Sequence, residues 1–360
     1  ALKLRTQRRE ILEKDGQTAL NTILDAPAPA TLVQSFPDQD LYYLMHKIGP
    51  DDFVPVLSLA ASDQWEYILD MDTWDSDRID VKALTRVLDL LFQAAPDRLL
   101  RWTVTQKPGF LQYYLFKHLS VHIREHDEPP PSDFDDYLTV DDKFYFRFPE
   151  KPSADADQPP DASDTANSWD LIEKMLTHLA DMDLSVFQGM LLETIALLPA
   201  ETEEEQFRLK TVRLAEKGFL PAHEALGIYQ PVKVSDMGSR PEKLDPSTHL
   251  PDPDLPLPPQ FFASAMEKNN LLKTALSEFS TPASLTLESE LAALINKVIS
   301  ADKIKLKTRE DMENAIKKTC DTLNLGLEIL MKKDGSSRNA KGIIEHFFLE
   351  DIFRTASRAG

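Results

Sequence analysis

Apolar residues recur along this chain at helical spacing, in short runs that open on nearly the same phrase. Phe36-Pro37-Asp38-Gln39-Asp40-Leu41, Ile48-Gly49-Pro50-Asp51-Asp52-Phe53 and Ala61-Ser62-Asp63-Gln64-Trp65 each join Pro or Ser to an acidic residue ahead of an apolar stripe. Ser and Asp cap unpaired backbone N–H groups and Pro is pre-set for a first helical turn, so each phrase predicts a helix start. The stripes follow at i, i+3, i+4 spacing: Leu41, Leu44, Met45 and Ile48, then Phe53, Val56 and Leu57, then Trp65, Ile68 and Leu69. Helices that fit this spacing have about 8 to 10 residues, too few to stand alone in water. They are expected to stack, as a solenoid-like array over residues 31–75. The alternative is an irregular helical domain that happens to use Pro-Asp caps.

The pattern extends beyond the array. Leu2 to Leu24 predicts one amphipathic helix, basic at its start, ending before Pro27 and Pro29. Helices are expected at about Val81 to Ala94, from Pro96, and from Phe110 to Glu125. Alternating aromatic and β-branched residues on both sides of Asp141-Asp142 predict a β-hairpin near 134–148, which would have to pack on helices. Further helices are expected at Trp169 to Ala180, Leu184 to Leu198, Glu201 to Lys217 with Gly218 after its end, Pro221 to Gln230, Gln260 to Ser280, Leu287 to Ser300, Arg309 to Met331 and Lys341 to Arg358. Thr308 with Asp311 has the spacing of a capping box. The fold class is therefore mainly all-α.

Composition divides this string. Residues 149–168 are Pro, Asp, Ala and Ser with almost nothing apolar, which predicts a flexible linker. Residues 231–259 hold eight prolines and predict an extended connector. The expected organisation is an N-terminal array with hairpin (1–148), the linker, a helical segment (169–230), the connector, and a C-terminal helical segment (260–360) that packs on 169–230. The chain begins at Ala1 rather than Met, as expected of a piece of something longer.

Asp and Glu exceed Lys and Arg by 20, so general binding to a phosphate backbone is not expected. The excess is uneven: residues 297–341 carry 11 Lys and Arg against 7 Asp and Glu, which suits docking on an acidic part of the same chain. Cys320 is the single cysteine, which fits a reducing cytoplasm and gives no thiolate metal site. The most apolar run, Leu184 to Leu198, is too short to cross a bilayer and predicts a buried helix.

One constellation resembles chemistry. His118, His122 and His126 lie four apart and would share one helix face over 110–125, where two imidazoles can grip zinc or nickel and Glu125, Asp127 and Glu128 offer oxygens. One helix cannot complete tetrahedral coordination, and the favoured alternative is imidazoles bordering an apolar stripe of Leu115, Leu119 and Ile123. No phosphate loop, Gly-x-Ser-x-Gly or Cys–His pairing is present, so no catalytic, cofactor-binding or metal-ligating residue is assigned.

The Phe36-Pro37-Asp38 array, the Arg213 to Tyr229 stretch with Gly218-Phe219 and Ile228-Tyr229, and Leu323-Asn324-Leu325-Gly326-Leu327-Glu328 resemble an uncharacterised bacterial family known as a domain of unknown function. That resemblance spans most of the chain and implies no activity. Residues 31–75 are also similar to the N-terminal helical domain of magnesium-transporter E proteins, where acidic residues help to sense magnesium.

The function expected is a non-enzymatic cytoplasmic helical-repeat scaffold or interaction module that binds another protein. A second class is a cation-responsive module, with Asp38, Asp40, Asp51, Asp52, Asp63, Asp70, Asp72, Asp75 and Asp77 holding Mg²⁺ or Ca²⁺. A third is a metal-dependent enzyme built on the histidine face.

Overall fold

The computed structural model describes residues 2–125, 137–148, 162–240, 244, 270–306, 308–333 and 339–357. Among these are eighteen α-helices, two 3-10 helices and two small antiparallel sheets, so the fold is mainly α with one small hairpin-based sheet. Two compact units alternate along the chain: the first is Ala1–Phe53, Leu59–Tyr67 and Thr211–Gly360, the second Val54–Ser58 and Ile68–Lys210. Three of the borders fall inside helices, Val54–Leu59, Ser62–Asp72 and Pro199–Glu216, where composition marks no break. The sequence-based divisions at 148, 168, 230 and 259 fall elsewhere.

In the first unit the predicted Leu2 to Leu24 helix is two, Leu2–Glu13 and Gly16–Leu24. Asp15 restarts the helix by accepting the Thr18 N–H at 3.0 Å. A Cβ on Gly16 would lie 2.8 Å from the Lys47 carbonyl oxygen, so a larger residue would push this helix off Asp38–Ile48. The Pro-Asp phrase at 37–38 opens a helix as predicted, Pro50-Asp51-Asp52 makes a turn before Val54–Leu59, and Ser62 opens the next. Helices from these phrases are divided between the two units. The buried Gln64 amide donates to the carbonyls of Val33 and Phe36 at 3.0 and 2.8 Å and accepts the Ala61 N–H at 2.7 Å.

Pro199–Glu216 ends in a Schellman motif: Phe219 N–H donates to Leu214 O at 3.0 Å and Gly218 N–H to Ala215 O at 2.9 Å. Gly218 has φ +90° and sits where a Cβ would be 2.8 Å from the Ala293 Cα. Thr308 and Asp311 form the expected reciprocal capping box at the start of Arg309–Lys333. The predicted Lys341 to Arg358 helix is broken into Ala340–His346 and Leu349–Ala356. Phe347 is extended at the break and bridges to Ser239, and the nearly buried Arg240 guanidinium beside it forks onto Glu290, with Nε donating to Ile344 O at 3.0 Å. These bonds fasten residues 239–240 to the C-terminal helices. Several cations of the basic stretch pair within the unit, Lys297 with Glu350 at 2.7 Å and Lys318 with Asp302 among them.

The tightest approach in this unit is at Gly326. An ideal Cβ there would lie 2.1 Å from the Ile352 carbonyl oxygen, so Arg309–Lys333 meets Leu349–Ala356 backbone to backbone.

In the second unit Asp80 caps Val81–Ala94 through the Ala83 N–H at 3.1 Å. Pro96–Gln106 and Pro108–His118 follow, each with Pro in its first turn. The hairpin is present as Leu138–Thr139 paired with Phe144–Arg147; residues 134–136 of the predicted range lie outside the described residues. Its turn is set by Asp141, whose Oδ1 accepts the N–H groups of Lys143 and Phe144 at 3.1 and 2.8 Å, and by Asp142 at φ +55°. A third strand, Ser120–Ile123, joins the other edge of Phe144–Arg147. Order was expected to resume at Trp169, but the helix runs Ala162–Met182, while 149–161 and most of 241–269 lie outside the described residues.

The predicted buried helix at Leu184 to Leu198 is Leu184–Ile195, capped by Asp183, and it is buried on one face only. Phe187, Met190, Leu191 and Thr194 enter the core, whereas Leu184, Leu192 and Ile195 are 45%, 53% and 46% exposed, and Leu198 beyond the helix is 60% exposed. Among the described residues no single helix is long and apolar enough to cross a membrane.

Gly326→Ala should lower the urea-unfolding free energy by about 2 kcal/mol or more, because the added methyl meets backbone that cannot rotate away. Gly189→Ala, whose Cβ would meet nothing within 4 Å in mid-helix, should instead gain about 0.5–1 kcal/mol in the same measurement.

Candidate functional site

The histidine constellation does not form. Pro108–His118 ends at His118, Leu119 is extended, and His122 lies on the strand Ser120–Ile123, opposite Tyr145. His126 lies outside the described residues, as do Asp127 and Glu128. Leu119, Val121 and Ile123 alternate with Ser120, His122 and Arg124, a period of two that pairs with Phe144–Arg147 and overrides the four-residue histidine spacing. His118 packs edge-on against Tyr114, its ring centroid 4.7 Å away, and its buried Nε2 has no hydrogen-bond partner. Burial pulls its pKa down to about 4.

The acidic helix starts are spent on local structure rather than gathered. Asp38 accepts the Gln39 N–H at 3.0 Å and pairs with Lys217 at 2.7 Å. Asp40 is fully buried near Arg8, whose guanidinium donates to Ser35 O at 2.8 Å. Burial lowers the Arg8 pKa and the Asp40 charge works against that. Asp51, Asp52, Asp63, Asp75 and Asp77 are exposed, and Asp70 is buried. Asp72 lies in the last turn of Ser62–Asp72. Among the described residues no three His, Cys, Asp or Glu side chains come together in a way that could hold a metal ion.

A carboxylate that sequence reasoning missed accepts three hydrogen bonds in the interior of the second unit. Glu203 sits in the first half of Pro199–Glu216 and is buried, taking the Arg78 guanidinium on Oε2 at 2.9 Å and both the Ile79 N–H and the Tyr113 hydroxyl on Oε1 at 2.9 Å. Burial alone would raise its pKa; the Ile79 N–H, the Tyr113 hydroxyl and the Arg78 charge outweigh that and hold it below the ordinary value. Burial together with Glu203 pushes the Tyr113 hydroxyl well up. Every partner is protein, so the group ties the Arg78–Ile79 strand, Pro108–His118 and Pro199–Glu216 together. Its place in the run Glu201-Thr202-Glu203-Glu204-Glu205 gives no sequence signal that singles it out.

Other candidates are closed. Burial pushes the Cys320 thiol up to about 12, so it stays protonated and is a poor nucleophile. In the first unit a small depression between Tyr42, Tyr67, Phe219, Asn296 and Met312 has room for about one water molecule. Its polar groups are engaged, with Tyr42 donating to Leu306 O at 3.0 Å and Asn296 to Lys217 O at 2.7 Å.

The remaining feature is the outward ridge of Leu184–Ile195. Leu184, Gln188, Leu192 and Ile195 follow at spacings of four, four and three, so they share one face. Gln188 is held by Asp141 at 2.6 Å and Glu193 by Gln112. Asp183 fixes the start of the helix by accepting the Ser185 and Val186 N–H groups at 2.9 and 3.2 Å.

These features define a mainly α-helical protein in which, among the described residues, Glu203, His118 and Cys320 are held in the interior and Leu184, Leu192, Ile195 and Leu198 stand exposed. The chain belongs to a family of unknown function, DUF6178, whose model matches residues 1–359. No curated protein and no solved structure matches it. The similarity of residues 31–75 to the magnesium-transporter E helical domain gains no support from those comparisons.

Because the folded state lowers the His118 pKa from 6.5 to about 4, the unfolded chain takes up a proton there first as pH falls. Stability from this residue is whole above the unfolded value and is lost on descent toward the folded one. From neutral pH to pH ~4.5, wild type should lose about 1–2 kcal/mol more than His118→Leu in urea unfolding, a range discounted for the ring's partial exposure. Glu203→Leu should cost about 3 kcal/mol or more, since it strands the Ile79 N–H and the Tyr113 hydroxyl in the interior.

Proposed function

We propose that this protein is a non-enzymatic helical interaction module that docks another protein on its second unit. The observation that carries this reading is Leu184–Ile195, which spends one aliphatic face on the core and turns a second to solvent. A helix apolar on both faces is stable when both are covered, and exposed aliphatic side chains grouped on one face mark an interaction surface; here Leu192, Ile195 and Leu198 form the group, with Leu184 beyond Gln188. The commitment of Glu203, Cys320 and His118 to internal packing supports a binding role over catalysis.

The test is site-specific photo-crosslinking in the native host, with the photoreactive residue placed at Leu192 or Ile195 and, as control, at the exposed polar Glu173 of the same unit. A discrete protein adduct from the ridge positions and none from Glu173 is the expected result. Equal labelling from all three sites, or none from the ridge, overturns the reading.

A further inference from the structure

We infer that the element which covers this ridge is a basic amphipathic helix of the partner protein, an inference that rests on the docking reading above. Between Lys174 and Arg208 the chain has no Lys or Arg, and within that stretch it carries seven carboxylates: Asp181, Asp183, Glu193, Glu201, Glu203, Glu204 and Glu205. Only Glu203 is buried. Asp181 and Asp183 stand before the first turn of the ridge, Glu193 is in its last turn, and Glu201 and Glu204 lie just past the exposed corner at Leu198. The chain turns by 108° between Leu184–Ile195 and Pro199–Glu216, so the aliphatic strip ends at an open corner rather than running under the next helix.

An aliphatic strip with acidic ends and no cation of its own discriminates among occupants by charge. A partner with apolar anchors at i, i+3, i+4 and i+7 would match the spacing of Leu184, Leu192 and Ile195 along the roughly 18 Å of this helix. Lys and Arg beside those anchors can lay their methylene stems on the strip and carry their charges to the carboxylates at its ends. An acidic helix meets like charges at both ends. Anionic lipid headgroups and nucleic acid are repelled in the same way. A second copy of the chain would bring the same carboxylates to the same place under two-fold symmetry.

The test uses the full chain and designed peptides of about five helical turns (~18 residues): an amphipathic Leu/Lys helix, its Leu/Glu counterpart, and a scrambled Leu/Lys sequence of identical charge. Binding is followed by fluorescence anisotropy at low and at high salt. The Leu/Lys helix should bind at least about tenfold more tightly than either control, with affinity falling as salt screens the carboxylates. Leu192→Ser with Ile195→Ser, which leaves charge unchanged, should weaken binding roughly tenfold or more. Glu193→Gln with Glu201→Gln and Glu204→Gln should remove most of the salt dependence. The exposure of these positions keeps the variants folded, and a thermal melt checks this.

Equal binding of the scrambled peptide, or an unchanged affinity in the Leu192 and Ile195 variant, overturns the inference. So does preference for the Leu/Glu helix, binding to vesicles of anionic phospholipid, or a dimer in sedimentation that the Leu192→Ser variant dissolves. Ridge-specific crosslinking with any of these results would keep the docking face and reject only the partner's chemistry, whereas loss of the crosslink would reject the face itself.

Discussion

At Gly326 two helices of the first unit touch through their backbones, with room for a hydrogen and none for a methyl between the helix Arg309–Lys333 and the Ile352 carbonyl. Much of the unit is placed by that contact. Two residues before it, Asn324 accepts the Leu272 N–H at 2.9 Å and so sets the helix Leu271–Ser277. Beside Ile352, Asp351 accepts the Gly238 N–H at 3.0 Å and Arg354 donates to Gln230 O at 2.9 Å. Leu349–Ala356 thereby holds the 230–240 segment, of which Met237 is the buried apolar side chain. Close backbone approach replaces side-chain interdigitation here, and dispersion between well-fitted surfaces does the work that bulk would do elsewhere.

Features that depend on neighbours in sequence were legible. Pro37-Asp38, Ser62, Asp80 and Pro96 mark helix starts because capping is settled within three residues, and the same holds for the Thr308–Asp311 box and the Asp141-Asp142 turn. What depends on distant partners was not. Residues 119–124 satisfy a helical and a strand period together, and only the edge of Phe144–Arg147 decides between them. Glu203 is one glutamate of a run until the fold brings Tyr113 and Arg78 to it. The split at Phe347 arises where Ser239 and Arg240 arrive from a hundred residues away. The alternation of the two units was hidden because helices run through its borders.

The helix Leu184–Ile195 shows how an apolar count misleads when taken without direction. Its composition is that of a core helix, and that led to the expectation of full burial. Phe187, Met190, Leu191 and Thr194 face the core, while Leu184, Leu192 and Ile195 remain 45%, 53% and 46% exposed. Between Lys174 and Arg208 the same stretch carries carboxylates and no Lys or Arg.

The alternation of the two units also orders events during synthesis. The second unit is a nearly continuous stretch, Ile68–Lys210 with Val54–Ser58, and it is complete in the emerging chain while more than two thirds of the first unit is still unmade. One contact of the helix Leu2–Glu13 forms late: Arg5 pairs with Glu288 at 2.9 Å across 283 residues of sequence. At translation rates of roughly 5–20 residues per second, that distance means a wait of about 15 to 60 s. Ile11 and Leu12, buried in the finished protein, wait less long: Arg8 reaches the Ser35 carbonyl and the Lys47 ammonium donates to the Leu12 carbonyl at 2.6 Å, so their cover comes from the next few helices.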